Sequence, residues 1–175
     1  MSIPGTHNQK EQNNILLDGV RYSACKTRLL YYNPNKKDEG FAVPTHVKAI
    51  SKGAFQGNKY IKTIKIHPQV ENIPAYSFFA NENLQNIFVD SRNQTYSSVN
   101  GVLYDKKVET LMKYPEGKQD SNFHLRPSVN SIAEDALYHM RHLEFIHVDE
   151  NNKIFTSVDG VLYALDQKKL IKYPP

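Results

Sequence analysis

The chain has 175 residues, of which 39% are hydrophobic and 23% charged, and its formal net charge is +4. This length predicts one domain that can bury a sizeable core, and so mild a charge argues against a dedicated nucleic-acid binder. No run approaches the roughly 18 apolar residues that a membrane span needs. The single cysteine, Cys25, excludes a small scaffold held by internal disulfides.

The first predicted segment is a polar tail over residues 1–14, which lacks the apolar core of a signal peptide. A hairpin-like segment follows over residues 15–40. It contains Asp18-Gly19-Val20-Arg21-Tyr22 and then Leu29-Leu30-Tyr31-Tyr32. This segment is a faint copy of two longer units that come later in the chain.

Two short repeats occupy residues 41–63 and 64–86, and a third copy covers residues 123–145. The first two apolar positions of each repeat are two residues apart, which predicts a strand with both side chains pointing inward. The later positions stand among small residues such as Ala54, and they predict a short helical turn packed on that strand. The six shared positions are Phe41/Ile64/Phe123, Val43/Ile66/Leu125, Val47/Val70/Val129, Ile50/Ile73/Ile132, Phe55/Phe78/Leu137 and Ile61/Leu84/Leu143.

Longer units cover residues 87–122 and 146–175, and a shift of 59 residues aligns Ile64–Glu116 with Phe123–Pro175 without a gap. Within them, Ile87–Pro115 and Ile146–Pro174 are identical at 14 of 29 positions. Val99–Tyr104 and Leu111–Tyr114 alternate like paired strands, which predicts a β-hairpin with its tip at residues 105–109. The copy turns at residues 166–169. Lysine pairs at both tips suit a solvated turn, and contact with an anionic partner is the alternative.

A unit of 23 residues cannot bury its apolar face alone, so neighbouring units must stack to form a continuous core. The repeats therefore predict an α/β fold over residues 15–175. In this fold a right-handed solenoid has one parallel strand per turn, and the strands form a concave parallel sheet. Short helical turns and β-hairpin inserts complete the predicted architecture.

Each short repeat also carries a proline after its strand and a small-apolar pair near its end. The three versions are Val43-Pro44…Gly53-Ala54-Phe55, Ile66-His67-Pro68…Ser77-Phe78 and Leu125-Arg126-Pro127…Ala136-Leu137. In this combination the chain resembles the BspA-like, or Treponema pallidum-type, leucine-rich repeat family, although Leu137 replaces the usual phenylalanine. The resemblance implies a leucine-rich-repeat solenoid that serves as a secreted or cell-surface adhesion and interaction module and has no catalytic residues.

In a strand whose Ile64 and Ile66 point inward, the alternate residues must face outward. Stacked strands place these residues in columns about 4.8 Å apart on the sheet. Aromatic, imidazole and charged groups mix there, which suits protein recognition with Phe88 and Phe145 as anchors. Alternatively, the two rings cover neighbouring strands and bind nothing. The predicted ligand-binding residues are Lys65, His67, Phe88, Asp90, His124, Arg126, Phe145, His147 and Asp149.

Residues for other chemistry are sparse in this sequence. His139 and His142 lack a cysteine or an acidic partner at ligand spacing, so no metal site is predicted. No glycine-rich phosphate loop or catalytic set is apparent, and neither a cofactor nor an enzymatic activity is expected. Asn93-Gln94-Thr95 matches a glycosylation sequon, for which chance is the default explanation.

The sequence thus predicts a non-catalytic module that binds a protein or glycan at a host or cell surface through the concave sheet. No specific nucleic-acid partner and no membrane insertion are expected. The alternative is a structural spacer or accessory domain of a longer surface protein, with no ligand of its own. Because solenoids need polar caps and neither end shows one, the ends predict a continuation of the chain, a partner or end-to-end self-association. The family resemblance implies an extracellular or cell-surface location.

Overall fold

The computed structural model describes residues 14–166 and 169–174. Within these ranges the chain forms short strands joined by turns, and no helix. Most of the predicted polar tail and the Gln167-Lys168 part of the second hairpin tip lie outside the described residues. The strands are β1 (Ile15–Leu17), β2 (Val20–Tyr22), β3 (Arg28–Tyr32), β4 (Gly40–Ala42), β5 (Ala49–Ile50), β6 (Thr63–Ile66), β7 (Asn86–Val89), β8 (Tyr96–Val99), β9 (Val102–Asp105), β10 (Thr110–Lys113), β11 (Asn122–Leu125), β12 (Ser131–Ile132), β13 (Phe145–Val148), β14 (Phe155–Val158), β15 (Val161–Ala164) and β16 (Leu170–Lys172).

The short repeats form stacked coils, which we name coil 1 (residues 41–63), coil 2 (residues 64–86) and coil 3 (residues 123–145). Strands β4, β6 and β7 pair in parallel in that order, and β11 pairs in parallel with β13. Phe41 of coil 1 lies opposite Ile64 of coil 2. This is the register that the alignment of the repeats predicts.

The longer units contain antiparallel hairpins, which we name hairpin 1 (β1–β3), hairpin 2 (β8–β10) and hairpin 3 (β14–β16). Each turns first at a two-residue loop, Asp18-Gly19, Asn100-Gly101 or Asp159-Gly160, whose residues all have positive φ. Asn-Gly and Asp-Gly are the pairs that such tight turns prefer. The predicted hairpin is present, but Val99–Tyr104 is divided by this turn into the end of β8 and most of β9.

The last strand of a hairpin joins the following coil. β3 pairs in parallel with β5 of coil 1, and β10 pairs in parallel with β12 of coil 3. Backbone hydrogen bonds extend both contacts, from the Tyr32 N–H to the Ala54 carbonyl (2.7 Å) and from the Tyr114 N–H to the Ala136 carbonyl (2.8 Å). The hairpins are therefore an integral part of the stack.

The predicted short helical turns are wrong, and the chain is a β-solenoid rather than an α/β protein. In coil 1, alternate N–H groups bond to the next coil, whereas Ala54 and Gln56 between them donate to carbonyls three residues back in the same segment. Gly53, Phe55 and Gly57 donate to the carbonyls of Tyr76, Ser77 and Phe79 respectively. Small residues here permit a tight turn, and stacking between coils satisfies the backbone that a helix would have satisfied internally.

The predicted parallel sheet is present as two separate ladders, because hairpins interrupt it. The Ile87 N–H of β7 donates to the carbonyl of Gly101 in hairpin 2, and the Ile146 N–H of β13 donates to Gly160 in hairpin 3. The outer edge of β7 thus meets a hairpin turn, and β11 starts a separate ladder.

The aligned apolar positions form the core, as predicted. All of them are buried except Phe41 and Ile132, which are partly buried and pack against it. Two clusters divide the core, one in the N-terminal half of the stack and one in the C-terminal half. Burying each such side chain contributes about 1.5–3 kcal/mol, which offsets the entropy of ordering short coils.

Candidate functional site

Strand alternation positions the predicted ligand-binding residues. In β6, β7, β11 and β13 an exposed side chain stands between inward-facing neighbours: Lys65, Phe88, His124 and His147 respectively. Because alternate side chains of a strand point to opposite faces, burial of the apolar columns forces these residues outward. The structure divides the nine predicted residues into two groups, one on each parallel ladder.

The first group lies on β6 and β7. Lys65 stands directly opposite Phe88 in the parallel register, and Phe88 is 45% exposed. His67 and Asp90 follow at the ends of these strands and are partly buried. The His67 Nδ1 accepts a hydrogen bond from the Gln69 N–H (3.2 Å), which orients the ring and requires the tautomer protonated at Nε2 when it is neutral.

An ion pair fixes the acidic residue of the first group. Arg92 donates from Nε to Asp90 Oδ1 (3.0 Å) and from an η-nitrogen to Oδ2 (2.9 Å), a two-point contact. The hydrogen bonds from the Arg92 side chain and backbone lower the pKa of Asp90 to about 2. The carboxylate therefore remains charged at neutral and mildly acidic pH.

The second group lies on β11 and β13 and centres on two imidazoles. His124 stands opposite His147 in the register, and their rings stack with centroids 4.9 Å apart. The Phe145 ring continues this stack, 6.2 Å from His147, and His147 Nε2 hydrogen-bonds Asn122 Oδ1 (2.9 Å). Arg126 and Asp149 are exposed just beyond the strands.

Hairpin 2 separates the two groups. A cavity of about 220 Å³ lies where this hairpin meets β11, and Asn100, His124 and Arg126 are among its lining residues. An ion pair between Lys118 and Asp120 (3.1 Å) stands beside it. The sequence could not reveal this division, because the repeat alignment treats the hairpins as inserts outside the strand columns.

Phe145, one of the two proposed anchors, packs against hairpin 3. Phe145 packs so closely on hairpin 3 that a Cβ added to Gly160 would lie 2.6 Å from its ring. The ring nevertheless remains 42% exposed. Phe145 therefore covers the neighbouring hairpin and also presents a face to solvent, so both the covering role and the anchor role predicted for it remain compatible with its position.

The described residues do not assemble a site for the other chemistry considered in the sequence, namely metal binding and glycosylation. Among the described residues no group of three or more histidine, cysteine or acidic side chains could hold a metal ion, and no helix could span a membrane. Asn93, the sequon residue, is fully buried, and its side chain makes four hydrogen bonds to backbone groups. Its amide is therefore inaccessible in the folded chain.

An aromatic cluster on the turns was missed by the sequence analysis. Tyr76 and Phe79 of coil 2 contact Tyr138 and His139 of coil 3 through their rings. The available signal lay at positions outside the apolar columns: Tyr76 and His139 align with glycines of coil 1, and Phe79 and Tyr138 both align with Gln56.

Comparisons with known proteins identify the repeats. A family model described as BspA type leucine-rich repeat region (six copies) matches residues 30–111. No curated protein matches the chain. Three solved structures are similar in fold. The pneumococcal vaccine antigen PcpA is 19% identical with a TM-score of 0.55, and the match covers 65% of this chain and 34% of that one. A leucine-rich repeat protein of Eubacterium ventriosum is 20% identical with a TM-score of 0.52, covering 70% of this chain and 45% of that one, and a leucine rich cell surface protein of Faecalibacterium prausnitzii is 21% identical with a TM-score of 0.53, covering 79% and 40% respectively. The chain thus spans between a third and a half of their lengths.

Proposed function

Residues 30–111 belong to the BspA-type leucine-rich repeats, and from this premise we propose that the chain is a non-catalytic module that binds a protein at a cell surface. The observation that carries the proposal is the pair of exposed phenylalanines on the outward strand face, Phe88 and Phe145. Each is held on a hydrogen-bonded parallel ladder whose opposite side is core. Rigid aromatic side chains lose little entropy on binding, and they are common anchors of protein interfaces.

The chemistry around the anchors favours a protein partner. Lys65 stands beside Phe88, while His147 stacks on Phe145. The Asp90–Arg92 pair adds a fixed charge of each sign. Each group thus has an exposed phenylalanine bordered by polar residues, and an apolar centre with a polar rim is typical of a protein-recognition surface. Two of the structural neighbours are described as a surface protein and a vaccine antigen, which supports an extracellular location.

A double substitution tests this assignment. Phe88→Ala with His147→Ala removes one ring from each group, and binding to purified secreted and cell-surface proteins on an array should fall at least about tenfold. The melting temperature should change little, because both side chains are exposed. Lys107→Ala at the tip of hairpin 2, exposed and outside both groups, is the matched control. Full binding by the double variant would remove the strand face from consideration.

The alternative is a spacer or accessory repeat domain of a longer surface protein. The continuous backbone hydrogen bonding from hairpin 1 through coils 1 and 2 favours it, since such a stack is a stiff connector without any ligand. A wild-type chain that binds no protein on the array would favour this second function.

A further inference from the structure

Ionisable side chains are buried at one place in the described part of the chain. Lys113 is the only buried lysine there, and Glu116 and Asp135 are the only buried acidic residues. The three side chains are at most 2% exposed, and they meet where hairpin 2 joins coil 3. We name them the buried charge cluster. Because burying a charge is costly, their gathering at a single junction requires a physical explanation.

The junction itself does not need these charges. Hairpin 1 joins coil 1 through the same parallel strand pairing, in the same register, as hairpin 2 joins coil 3. The positions equivalent to the buried charge cluster are occupied there by Tyr31, Pro34 and Gly53. None of these residues is charged, so a hairpin docks on a coil of this chain without any ion pair at these positions.

Ion pairing leaves the buried charge cluster incompletely satisfied. The Lys113 Nζ lies 3.1 Å from Glu116 Oε1 and 3.5 Å from Asp135 Oδ2. The other oxygen of each carboxyl group, Glu116 Oε2 and Asp135 Oδ1, is buried and has no hydrogen-bond partner among the described groups. One ammonium cannot neutralise two carboxylates. The ionised cluster therefore keeps an uncompensated charge and two unpaired oxygens in the protein interior, which is unfavourable.

The backbone holds the amine and the carboxyl group of Asp135 against each other. β10 pairs in parallel with β12, and the Tyr114 N–H donates to the Ala136 carbonyl (2.8 Å) one residue beyond Lys113 and Asp135. The 3.5 Å between Nζ and Oδ2 is close to the separation of reacting groups just before a bond forms. Groups held in this way react as if highly concentrated, and burial excludes the water that would stabilise the separate ions.

We propose that Lys113 and Asp135 condense to form an intramolecular amide bond, with Glu116 as the proton carrier. The Nζ atom attacks Cγ of Asp135, so a nitrogen–carbon bond forms and one carbon–oxygen bond of the carboxyl group breaks. Two protons of the ammonium pass through Glu116, which contacts Nζ, to the departing oxygen, which leaves as water. No oxidant or further reactant is needed. The neutral product replaces two of the three buried charges and ties hairpin 2 covalently to coil 3.

Mass spectrometry of the folded full chain tests the proposal. After incubation at neutral pH, the intact mass should be lower than the sequence mass by one water molecule. Proteolysis and fragmentation should place the loss on two joined peptides, one with Lys113 and one with Asp135. Lys36 and Asp18 are the internal control, because they form a closer ion pair (2.6 Å) whose carboxylate is exposed, and their peptides should stay separate. A full mass, or a loss of water that maps elsewhere, would overturn the proposal.

Three substitutions separate the roles of the groups. Asp135→Asn should lose ammonia instead of water and reach the same final mass as the linked wild type, since both reactions give the same amide. Lys113→Arg keeps the cation but removes the amine, so it should keep its full mass. Glu116→Gln should form the link at least about a hundredfold more slowly. Loss of water by Lys113→Arg, or linkage of Glu116→Gln at the wild-type rate, would contradict the assignment. The wild-type mass decides the proposal even where a variant fails to fold.

Discussion

At the scale of single residues, three buried asparagines link neighbouring segments of the stack by hydrogen bonds. Asn58, Asn93 and Asn152 each follow a turn, and each donates from Nδ2 to two carbonyls of the preceding segment. The Oδ1 of each accepts the N–H groups two and three residues farther along the chain. One side chain thus both shapes its own turn and ties it to its neighbour, which explains why a polar residue occupies the interior.

Asn93→Ala tests this role. The substitution leaves the His67 and Val70 carbonyls and two backbone N–H groups without partners in a buried site. The free energy of unfolding, measured by urea denaturation, should therefore be lower than that of the wild type by at least about 2 kcal/mol. Gln94→Ala, next to it and exposed, should change stability by only a few tenths of a kcal/mol. Equal effects of the two substitutions would contradict the assignment.

Cys25 offers a residue-scale prediction about pH. It is exposed, and the hydroxyls of Ser23 (3.4 Å) and Thr27 (2.9 Å) hydrogen-bond its sulfur and lower the pKa of the thiol to about 7. The thiolate is the reactive form, so the alkylation rate should rise with pH to half its plateau near pH 7. Ser23→Ala with Thr27→Val should move that midpoint to higher pH. The same midpoint in both proteins would show that the hydroxyls do not stabilise the thiolate.

The sequence predicted the buried columns but not the buried asparagines. An apolar residue in register across three repeats has one physical explanation, burial, as at Ile64 and Ile66. An asparagine has several, among them turns, solvation and glycosylation, and only the packed structure shows that the Asn93 amide meets two carbonyls.

At the scale of elements, buried charge joins hairpin 2 to coil 3. Lys113 on β10 is 2% exposed. Its Nζ lies 3.1 Å from Glu116 Oε1 and 3.5 Å from Asp135 Oδ2, and it also donates to the Asp135 carbonyl (3.2 Å). Glu116 Oε1 accepts the Ala80 N–H of coil 2 (3.0 Å). The cluster therefore connects coils 2 and 3 through the hairpin between them.

Removal of the cation from this cluster should be costly. Lys113→Met leaves the Glu116 and Asp135 carboxylates buried without their common partner, and it should lower the free energy of unfolding by about 3–5 kcal/mol. Lys107→Met on the exposed tip of the same hairpin provides the control, with little expected change. If urea denaturation gives Lys113→Met a free energy of unfolding within about 1 kcal/mol of the wild-type value, which is the size of a surface effect, the cluster has no structural role.

Elements were predictable where their pattern has a single geometric solution. The alternation of Val99–Tyr104 and Leu111–Tyr114 around a polar stretch specifies a hairpin, and the pairing of β9 with β10 confirms it, although the Asn100-Gly101 turn divides the first stretch. Residues 51–57 specify only compactness, since small residues suit a helical turn and a β-solenoid corner equally. Hydrogen bonds to coil 2, which are long-range, decide between them. The same limit applies to the site, because the division of the strand face depends on where hairpin 2 docks.

At the scale of the whole molecule, the apolar surface is uneven. Leu29 and Leu111, on the last strands of hairpins 1 and 2, are fully buried by coils 1 and 3, whereas their equivalent Leu170 on β16 is 55% exposed. Likewise Tyr32 and Tyr114 are buried, while Tyr173 is 66% exposed. Within the described residues β16 pairs only with β15. An open strand edge beside exposed apolar side chains favours association.

We therefore expect the chain to self-associate through the β16 edge as its concentration rises. Leu170→Lys with Tyr173→Lys places charge on that edge and should keep the chain monomeric, as measured by size-exclusion chromatography with light scattering. Phe88→Lys introduces a charge at a comparably exposed aromatic far along the stack, so it should leave the association unchanged. A wild-type chain that stays monomeric at every concentration, or a double variant that still associates, would show that the edge is not an assembly surface.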